Sequence, residues 1–384
     1  MERMEKDGEK PEQVLMRAQD AYKRRAFDET IATCKELLAL VDKKLKGLDA
    51  QKTRAAALML MSEAEDVKGS WVNAILYLDG VVQISVSIRD FKMEVEALLR
   101  AGNALTKKGK WDDALKKFDR ATEVCTRHGN KRMLGRSLVG KGKALWRLGK
   151  AMEALQHAKK AQEMGAAVKD EETIAGALTI VSNVKFDQGE YKASIEADKE
   201  ALKSFEAMNN PFEIARVLNN IGETYKMMGE WPSAIDYFRR SNDVARESGN
   251  LRTMGYALAN LAECKVRNGD PEGAVESAKA AETAIAGTED NYAASNVNMI
   301  YGMIYAAQGR RDEAEVRFKT AVDEMREMKI PYDTGINQLE YARALAKFKK
   351  RDEARAMLRE AIASFEEAGA KGMKEKAQKE LAAL

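Results

Sequence analysis

The sequence predicts an all-α protein: a right-handed α-solenoid superhelix of about nine helix-turn-helix units followed by a C-terminal capping helix. Three observations carry this prediction. A short turn motif recurs with a 40-residue period from Gly69 to Lys349. Apolar residues on both sides of each turn follow the three- and four-residue steps of amphipathic helices. Only five of the 384 residues are proline. A fixed period of this length is typical of arrays in which each unit packs on its neighbours.

The turn motif is clearest in GEWPSAI, which begins at Gly229. The other copies at 40-residue spacing begin at Gly69, Gly109, Gly149, Gly189, Gly269, Gly309 and Lys349. A diverged copy, RAFDETI, begins at Arg25, slightly more than one period before Gly69. Because glycine readily adopts the left-handed conformation that ends a helix, each copy is predicted to end a first helix shortly before a second helix begins.

The prolines and a second set of breaks agree with these units. The prolines stand where helices are expected to begin, at Pro11, Pro211 and Pro331 for first helices and at Pro232 and Pro271 for second helices. A missing backbone N–H is harmless at such positions. Weaker breaks, which are expected to end second helices, lie half a period after four of the turns, at Gly129, Asn209, Gly249 and Gly369.

A small residue stands seven places before each of the eight regularly spaced turns. These residues are Ser62, Gly102, Gly142, Ser182, Gly222, Ala262, Gly302 and Ala342. Glycine inside a helix costs about 1 kcal/mol relative to alanine, so Gly222 must be offset by a contact that a larger side chain would block. We therefore expect the two helices of a unit, and the next first helix, to pack with their backbones close together.

The residues around the turn resemble those of a known repeat family. The pattern LxxIGxxY from Leu218 to Tyr225, followed by Gly229 and by Ala234 and Phe238, strongly resembles the tetratricopeptide repeat. The resemblance covers nearly the whole chain, although the 40-residue unit is longer than the usual unit of about 34 residues. This length is similar to the longer-helix variant of kinesin light chains, LGN-type polarity adaptors and MalT-type regulators. HEAT and armadillo units lack the small residues and the turn glycine.

The same pattern predicts the domain organisation. Residues 1–10 are expected to be disordered, residues 11–371 to form a single solenoid, and residues 372–384 to form a capping helix with a polar outer face. In such an array the first helices are expected to line the concave face.

Composition disfavours several functional classes. The 64 basic and 61 acidic residues nearly cancel, so nothing global indicates nucleic-acid binding. Cys34, Cys125 and Cys264 lie far apart, and neither His128 nor His157 has a catalytic partner placed beside it by the repeat. We therefore predict a non-enzymatic protein without cofactor or metal. No signal peptide or membrane-spanning run is present in the sequence, which favours a cytoplasmic location.

The resemblance implies a ligand groove on the first helices. Its lining positions in the third to seventh units are Arg100, Asn103, Lys107, Arg136, Lys143, Trp146, Arg147, Asn183, Arg216, Asn219, Asn220, Glu223, Lys226, Asn260, Glu263 and Arg267. Units three and four contribute five cations (Arg100, Lys107, Arg136, Lys143, Arg147) against one anion, Glu96. The asparagines can bond a peptide backbone, since an amide both donates and accepts. Trp146 is either a groove anchor or a filler against the next unit, and Met227, Met299 and Met303 are candidates for an adaptable apolar lining.

Three functions are compatible with these sequence features. The first is a scaffold or adaptor that binds a peptide or helix of another protein in its groove, with an acidic ligand suited to the cations. The alternative is the sensor or oligomerisation arm of a regulatory system, binding a small effector or a signalling partner. Nucleic-acid binding ranks third, because Asp187, Glu223 and Glu263 interrupt the basic path. Self-association stays open.

Overall fold

The computed structural model describes residues 9–288 and 290–384, which form nineteen α-helices and no strand. The prediction of disorder for residues 1–10 falls mainly on residues 1–8, which lie outside the described part. Among the described residues, no helix is both long enough and apolar enough to cross a membrane.

Apart from the last helix, the odd-numbered helices are the first helices of successive pairs. They are α1 (Pro11–Lys23), α3 (Gly47–Lys68), α5 (Phe91–Lys107), α7 (Lys131–Arg147), α9 (Glu171–Asp187), α11 (Pro211–Met227), α13 (Leu251–Arg267), α15 (Asn291–Ala307), α17 (Pro331–Lys347) and the last helix, α19 (Lys371–Ala383). The even-numbered helices are the second helices. They are α2 (Phe27–Lys44), α4 (Trp71–Ser87), α6 (Trp111–Arg127), α8 (Ala151–Val168), α10 (Tyr191–Ala207), α12 (Trp231–Ser248), α14 (Pro271–Ile285), α16 (Arg311–Glu327) and α18 (Arg351–Glu367). The predicted all-α solenoid of helix pairs is confirmed.

The turn between the helices of a pair has the predicted geometry. Gly229 has φ of 76°, and the N–H of Glu230 donates to the carbonyl of Tyr225 at 3.0 Å, which closes the end of α11. Lys349 and Arg25, which replace glycine in the two diverged copies, adopt the same conformation with φ of 63° and 61°. The diverged copies therefore keep the turn although they lose its preferred residue.

The other helix boundaries also follow the sequence. Each proline stands in the first or second position of a helix, where its missing N–H leaves no bond unmade. The weaker breaks end second helices with positive φ at Gly129, Asn209, Gly249 and Gly369.

The chain divides into two compact units, residues 1–217 and residues 218–384. In the first unit α5 packs on α7 and α7 packs on α9, and in the second unit α13 packs on α15 and α15 packs on α17. Each of these first helices therefore contacts another first helix as well as its own second helix. We call the exposed and half-buried side chains of the first helices the first-helix face. A single solenoid over residues 11–371 stays a prediction.

An aromatic ring explains why a glycine stands inside α11. A Cβ atom on Gly222 would lie 2.7 Å from Cε1 of Phe238, which is fully buried on α12. The same arrangement places Phe118 over Gly102 and Phe318 over Gly302. The sequence predicts that the helix backbones approach closely at these glycines. Instead, a phenyl ring of the second helix packs against each of them.

We expect Gly222→Ala to destabilise the protein by about 1–3 kcal/mol, because the added methyl group overlaps the ring of Phe238. The measurement is urea unfolding followed by circular dichroism. Adding Phe238→Leu should recover part of the loss, since the smaller side chain leaves room for the methyl group. Gly372→Ala is the control, because a Cβ atom there meets nothing within 4 Å. Equal effects at the two glycines would contradict the packing argument.

Candidate binding surface on the first helices

Side chains about one repeat apart in sequence meet on the first-helix face. Lys226 donates to the side-chain amide oxygen of Asn260, 34 residues on, at 2.8 Å, and pairs with Glu263, 37 residues on, at 3.0 Å. Asn260 in turn donates to Asn219, 41 residues back, at 3.4 Å. These separations arise because successive first helices lie side by side and are offset by one repeat. Polar side chains of neighbouring first helices therefore bond to one another along this face.

The predicted groove positions divide between the two units. The first unit holds Arg100, Asn103, Lys107, Arg136, Lys143, Trp146, Arg147, Asn183 and Arg216, and the second unit holds Asn219, Asn220, Lys226, Asn260 and Arg267. All of them lie on first helices, and all are half-buried or exposed except Asn219, which is buried.

Two cations on α5 are paired with carboxylates of their own helix and of α3. Arg100 bonds Glu96 at 2.7 Å and also bonds Glu63, and Lys107 pairs with Asp66 at 2.7 Å. Each of these cations is only about one third exposed. Their charge is therefore largely neutralised within the protein.

Arg136 on α7 is neutralised in the same way from the next first helix. Its guanidinium lies 2.6 Å from Glu172 and 3.3 Å from the buried Asp170. The expectation of five cations against Glu96 alone needs correction, because it omitted the carboxylates on neighbouring first helices. Searching for opposite charges about one repeat away would have found them.

Lys143 differs from the other cations. Its ammonium lies 4.0 Å from Glu213, and that carboxylate is held more closely by Arg216, whose Nε donates to it at 2.9 Å. Burial lowers the pKa of Lys143, and Arg216 lowers it further against the attraction of Glu213. Burial alone would raise the pKa of Glu213, but Arg216 and Lys143 together lower it to about 2. Two cations thus share this one carboxylate. Arg216 is also attracted electrostatically by the buried Asp198.

Aromatic and amide groups flank Lys143. The indole N–H of Trp146 donates to Asp187 at 2.5 Å, and the guanidinium of Arg147 lies 4.4 Å from the centre of the indole ring. Trp146 also packs against the apolar core of this region, so it is both anchored on the face and used as a filler. Asn103 is exposed and Asn183 is half-buried. Trp146 and Arg147 follow Lys143 on the same helix, and Asn103 and Asn183 lie one repeat before and after it.

The amides of the second unit bond to groups within the chain. Asn219, 8% exposed, donates to Glu223 at 3.1 Å, and Asn260 donates to the same carboxylate at 3.2 Å. Asn220 is half-buried on the same helix. Asn219 and Asn260 therefore hold a carboxylate, a role that the sequence pattern did not indicate.

The ion pairs continue from Lys226 to the later first helices. Glu263 accepts from Lys226 at 3.0 Å and from Arg267 at 2.8 Å. Arg267 also bonds Glu340 on α17, beyond α15, at 3.0 Å. Burial alone would raise the pKa of Glu263, but Lys226 and Arg267 lower it to about 2.

Two of the three methionines proposed as groove lining are core residues. Met299 and Met303 are only 6% and 8% exposed and belong to one buried cluster, whereas Met227 is 50% exposed at the end of α11. The expectation that Met299 and Met303 line a groove is wrong, because both side chains lie on the part of α15 that packs against neighbouring helices. Only Met227 can contact a ligand on the face without rearrangement.

The histidines and cysteines do not form a site together. His128 stacks on Phe91 with ring centres 4.2 Å apart, and burial, followed by Lys141, lowers the pKa of His157. Burial raises the pKa of the Cys34 thiol to about 12, so it stays protonated at neutral pH. Within residues 9–288 and 290–384, no group of three or more His, Cys, Asp or Glu side chains could hold a metal ion.

Comparison with known proteins agrees with this architecture. The sequence profile described as tetratricopeptide repeat matches residues 94–167, 173–247 and 213–286. No curated protein sequence matches the chain significantly.

Solved structures resemble the chain over most of its length. A Rap protein complexed with Competence and Sporulation Factor is 14% identical, with 97% of this chain and 99% of that chain covered and a TM-score of 0.65. The Rap conjugation gene regulator of plasmid pLS20, in complex with the Phr* peptide, is 15% identical over 97% and 96% of the two chains, with a TM-score of 0.60. The APC/C hetero-tetramer Cut9–Hcn1 is 14% identical over 96% and 76%, with a TM-score of 0.60. At these identities the likeness shows the fold alone.

The depressed pKa of Glu263 predicts how acid affects stability. Its folded-state pKa is about 2, against 4.5 for the free group, so its contribution is present above pH 4.5 and is lost as pH falls towards 2. Glu263→Gln leaves Lys226 and Arg267 short of a buried anion, and we expect a loss of about 3 kcal/mol at neutral pH. Urea unfolding at neutral pH, near pH 4.5 and near pH 2 measures both effects.

The control for this prediction is Glu366→Gln. Glu366 pairs with Lys374 but is 67% exposed, so its replacement should change stability by no more than about 0.5 kcal/mol. The Glu263 variant should lose less stability between pH 4.5 and 2 than the unmodified protein. An unchanged acid dependence would show that Glu263 is not the stabilising carboxylate.

Proposed function

Because the chain belongs to the tetratricopeptide repeat family, we propose that it is a non-enzymatic scaffold that binds a peptide or helical segment of another protein on its first-helix face. The observation that carries the proposal is Lys143, a partly buried ammonium that has no close carboxylate of its own. A carboxylate of the partner would supply the missing counter-charge. Such charge-assisted bonds are about twice as strong as neutral ones.

The side chains beside Lys143 suit an extended segment. Asn103, Lys143 and Asn183 occupy the same position of the repeat on α5, α7 and α9, each one period from the next. Packed helices lie about 8–10 Å apart, so the row spans roughly 16–20 Å. That distance corresponds to about five or six residues of an extended chain. The amides can bond the backbone of such a segment while Lys143 bonds an acidic side chain or a terminal carboxylate.

Proteins of this fold accommodate partners of the proposed kind. The Rap regulator of plasmid pLS20 was solved in complex with the Phr* peptide, another Rap protein with Competence and Sporulation Factor, and Cut9 with Hcn1. These complexes support binding of a peptide or protein partner by this chain.

The two other functions are less well supported by the first-helix face. A sensor arm that binds a small effector would need an enclosed site, whereas the row from Asn103 to Asn183 extends over three helices. A nucleic acid would bring its phosphates against Glu63, Asp66 and Glu172, which lie among the cations. A protein segment with a single acidic group fits this mixed surface better.

Selection of peptides tests the proposal. Phage-displayed random peptides would be selected on the full chain, and the affinity of the selected sequences would be measured by fluorescence anisotropy. We expect them to contain a carboxylate and to bind Lys143→Gln about tenfold more weakly, because the variant loses a charge-assisted contact. Their salt dependence should fall with that charge. Arg136 is left intact, since its replacement would expose Asp170 and Glu172 to each other.

The matched control is Lys117→Gln on α6. Lys117 and Lys143 have side chains of equal exposure, 27%, but Lys117 lies on a second helix and pairs with Asp79. Both variants lose one lysine charge of the same accessibility. If the two variants bind the selected peptides equally, or if the peptides lack carboxylates, the site assignment is wrong.

A further inference from the structure

One carboxylate of the second unit is oriented by amides without being neutralised. Oε1 of Glu223 accepts hydrogen bonds from Asn219 at 3.1 Å and from Asn260 at 3.2 Å. No cation of the described residues pairs with it within 4.0 Å, whereas Glu263, Glu340 and Glu380 each have a paired cation. The amides fix its direction but carry no net charge. The negative charge of Glu223 is therefore still available to a ligand.

The surrounding network has one anion too many. Among the described residues it consists of four carboxylates and three cations, namely Glu223, Glu263, Glu340 and Glu380 with Lys226, Arg267 and Arg343. Each cation makes its ion pairs with carboxylates other than Glu223. Lys226 bonds Glu263, Arg267 bonds Glu263 and Glu340, and Arg343 bonds Glu340 and Glu380. Glu223 attracts Lys226 only at longer range, and its charge is the one left over.

An exposed apolar side chain lies beside this carboxylate. Met227 follows Glu223 by four residues on α11, so the two side chains are neighbours on one face of the helix. Met227 is 50% exposed, and methionine adapts its shape to apolar partners. A carboxylate next to a methionine matches a cationic side chain with an apolar stem, or a cation flanked by an apolar residue.

We propose that the first-helix face of residues 218–384 binds a basic segment, an arginine of which pairs with Glu223 while its stem or an adjacent apolar side chain packs on Met227. Arginine fits better than lysine, because its planar guanidinium can use both carboxylate oxygens and the second oxygen of Glu223 accepts no hydrogen bond from the described residues. This surface goes beyond the proposed function. It uses other residues than the Lys143 site and a ligand of opposite charge.

A pair of probe peptides tests this surface in the full chain. The first is a fluorescein-labelled peptide of alternating leucine and arginine, and in the second citrulline replaces every arginine. Citrulline keeps the shape of arginine but removes the charge. At low ionic strength we expect the arginine peptide to bind about tenfold more tightly by fluorescence anisotropy. Glu223→Gln should abolish most of that preference.

The matched control is Glu324→Gln on α16. Glu324 is also held by an asparagine amide, with Asn298 donating at 3.1 and 3.2 Å, but it lies on a second helix. This variant should keep the full preference for arginine. An equal loss in both variants would mean that general attraction to a negative surface is being measured, and it would overturn the proposal. Equal binding of the two peptides to the unmodified chain would overturn it as well.

Met227→Ala gives an independent readout that does not depend on the stability of the Glu223 variant. It should weaken both peptides to the same extent, because it removes an apolar contact and no charge. Unchanged binding would remove Met227 from the surface and contradict the proposal. None of these results bears on Lys143, so the failure of this inference and the failure of the proposed function can be told apart.

Discussion

The packing of a second-helix side chain into the space above a small first-helix residue is the constraint on which the rest of the structure depends. In three pairs the contact is a phenyl ring on a glycine, as for Phe238 and Gly222. Where the first helix carries alanine, as at Ala342, the residue 16 places later is smaller, here Leu358. In these pairs the two positions are matched in size, which limits how closely the two helices approach each other. At Gly142 the residue 16 places later is Ala158, and Ile180 of the next first helix fills the space instead.

A fixed approach within each pair also fixes the register between pairs. Because the pairs recur with a constant period and first helices within a unit pack on one another, as α5 does on α7, side chains about one repeat apart meet on one face. This explains why cations and carboxylates of neighbouring units find each other so regularly, as Lys107 and Asp66 do. Each such ion pair contributes little to folding stability where it is exposed. Breaking a buried pair, such as that of Glu263, costs more.

Many charges on the first-helix face are paired with opposite charges of the same chain. When most charges on a face are neutralised, net charge does not decide what the face binds, and the few groups without a close partner do. Lys143 shares its carboxylate with Arg216, and Glu223 is held only by amides. These two residues have opposite charges, so they suit different chemical groups. Their neighbours, Asn103 in one case and Met227 in the other, offer backbone bonding and apolar contact respectively.

The sequence by itself determined the local features of this protein. Helix ends, turns and proline positions follow from the residues at each boundary, because caps and left-handed turns involve only a few consecutive residues. The period of the turn motif, and with it the family, is likewise visible along the chain. The glycine at position 222 was recognised as a close contact, although the group that fills the space, Phe238, was not.

Only the tertiary structure decided which charges and amides are available. The pairing of Arg136 with Asp170 and Glu172 depends on the offset between two helices, and the burial of Met303 depends on the rotation of α15. The repeat period restricts the offset between helices and the rotation of each helix, but it does not determine either one. Asn260 was expected to meet a ligand backbone, yet it bonds Glu223 from the previous first helix. A side chain's position in the repeat gives its face, whereas its partner is chosen by distances between helices that sequence spacing does not contain.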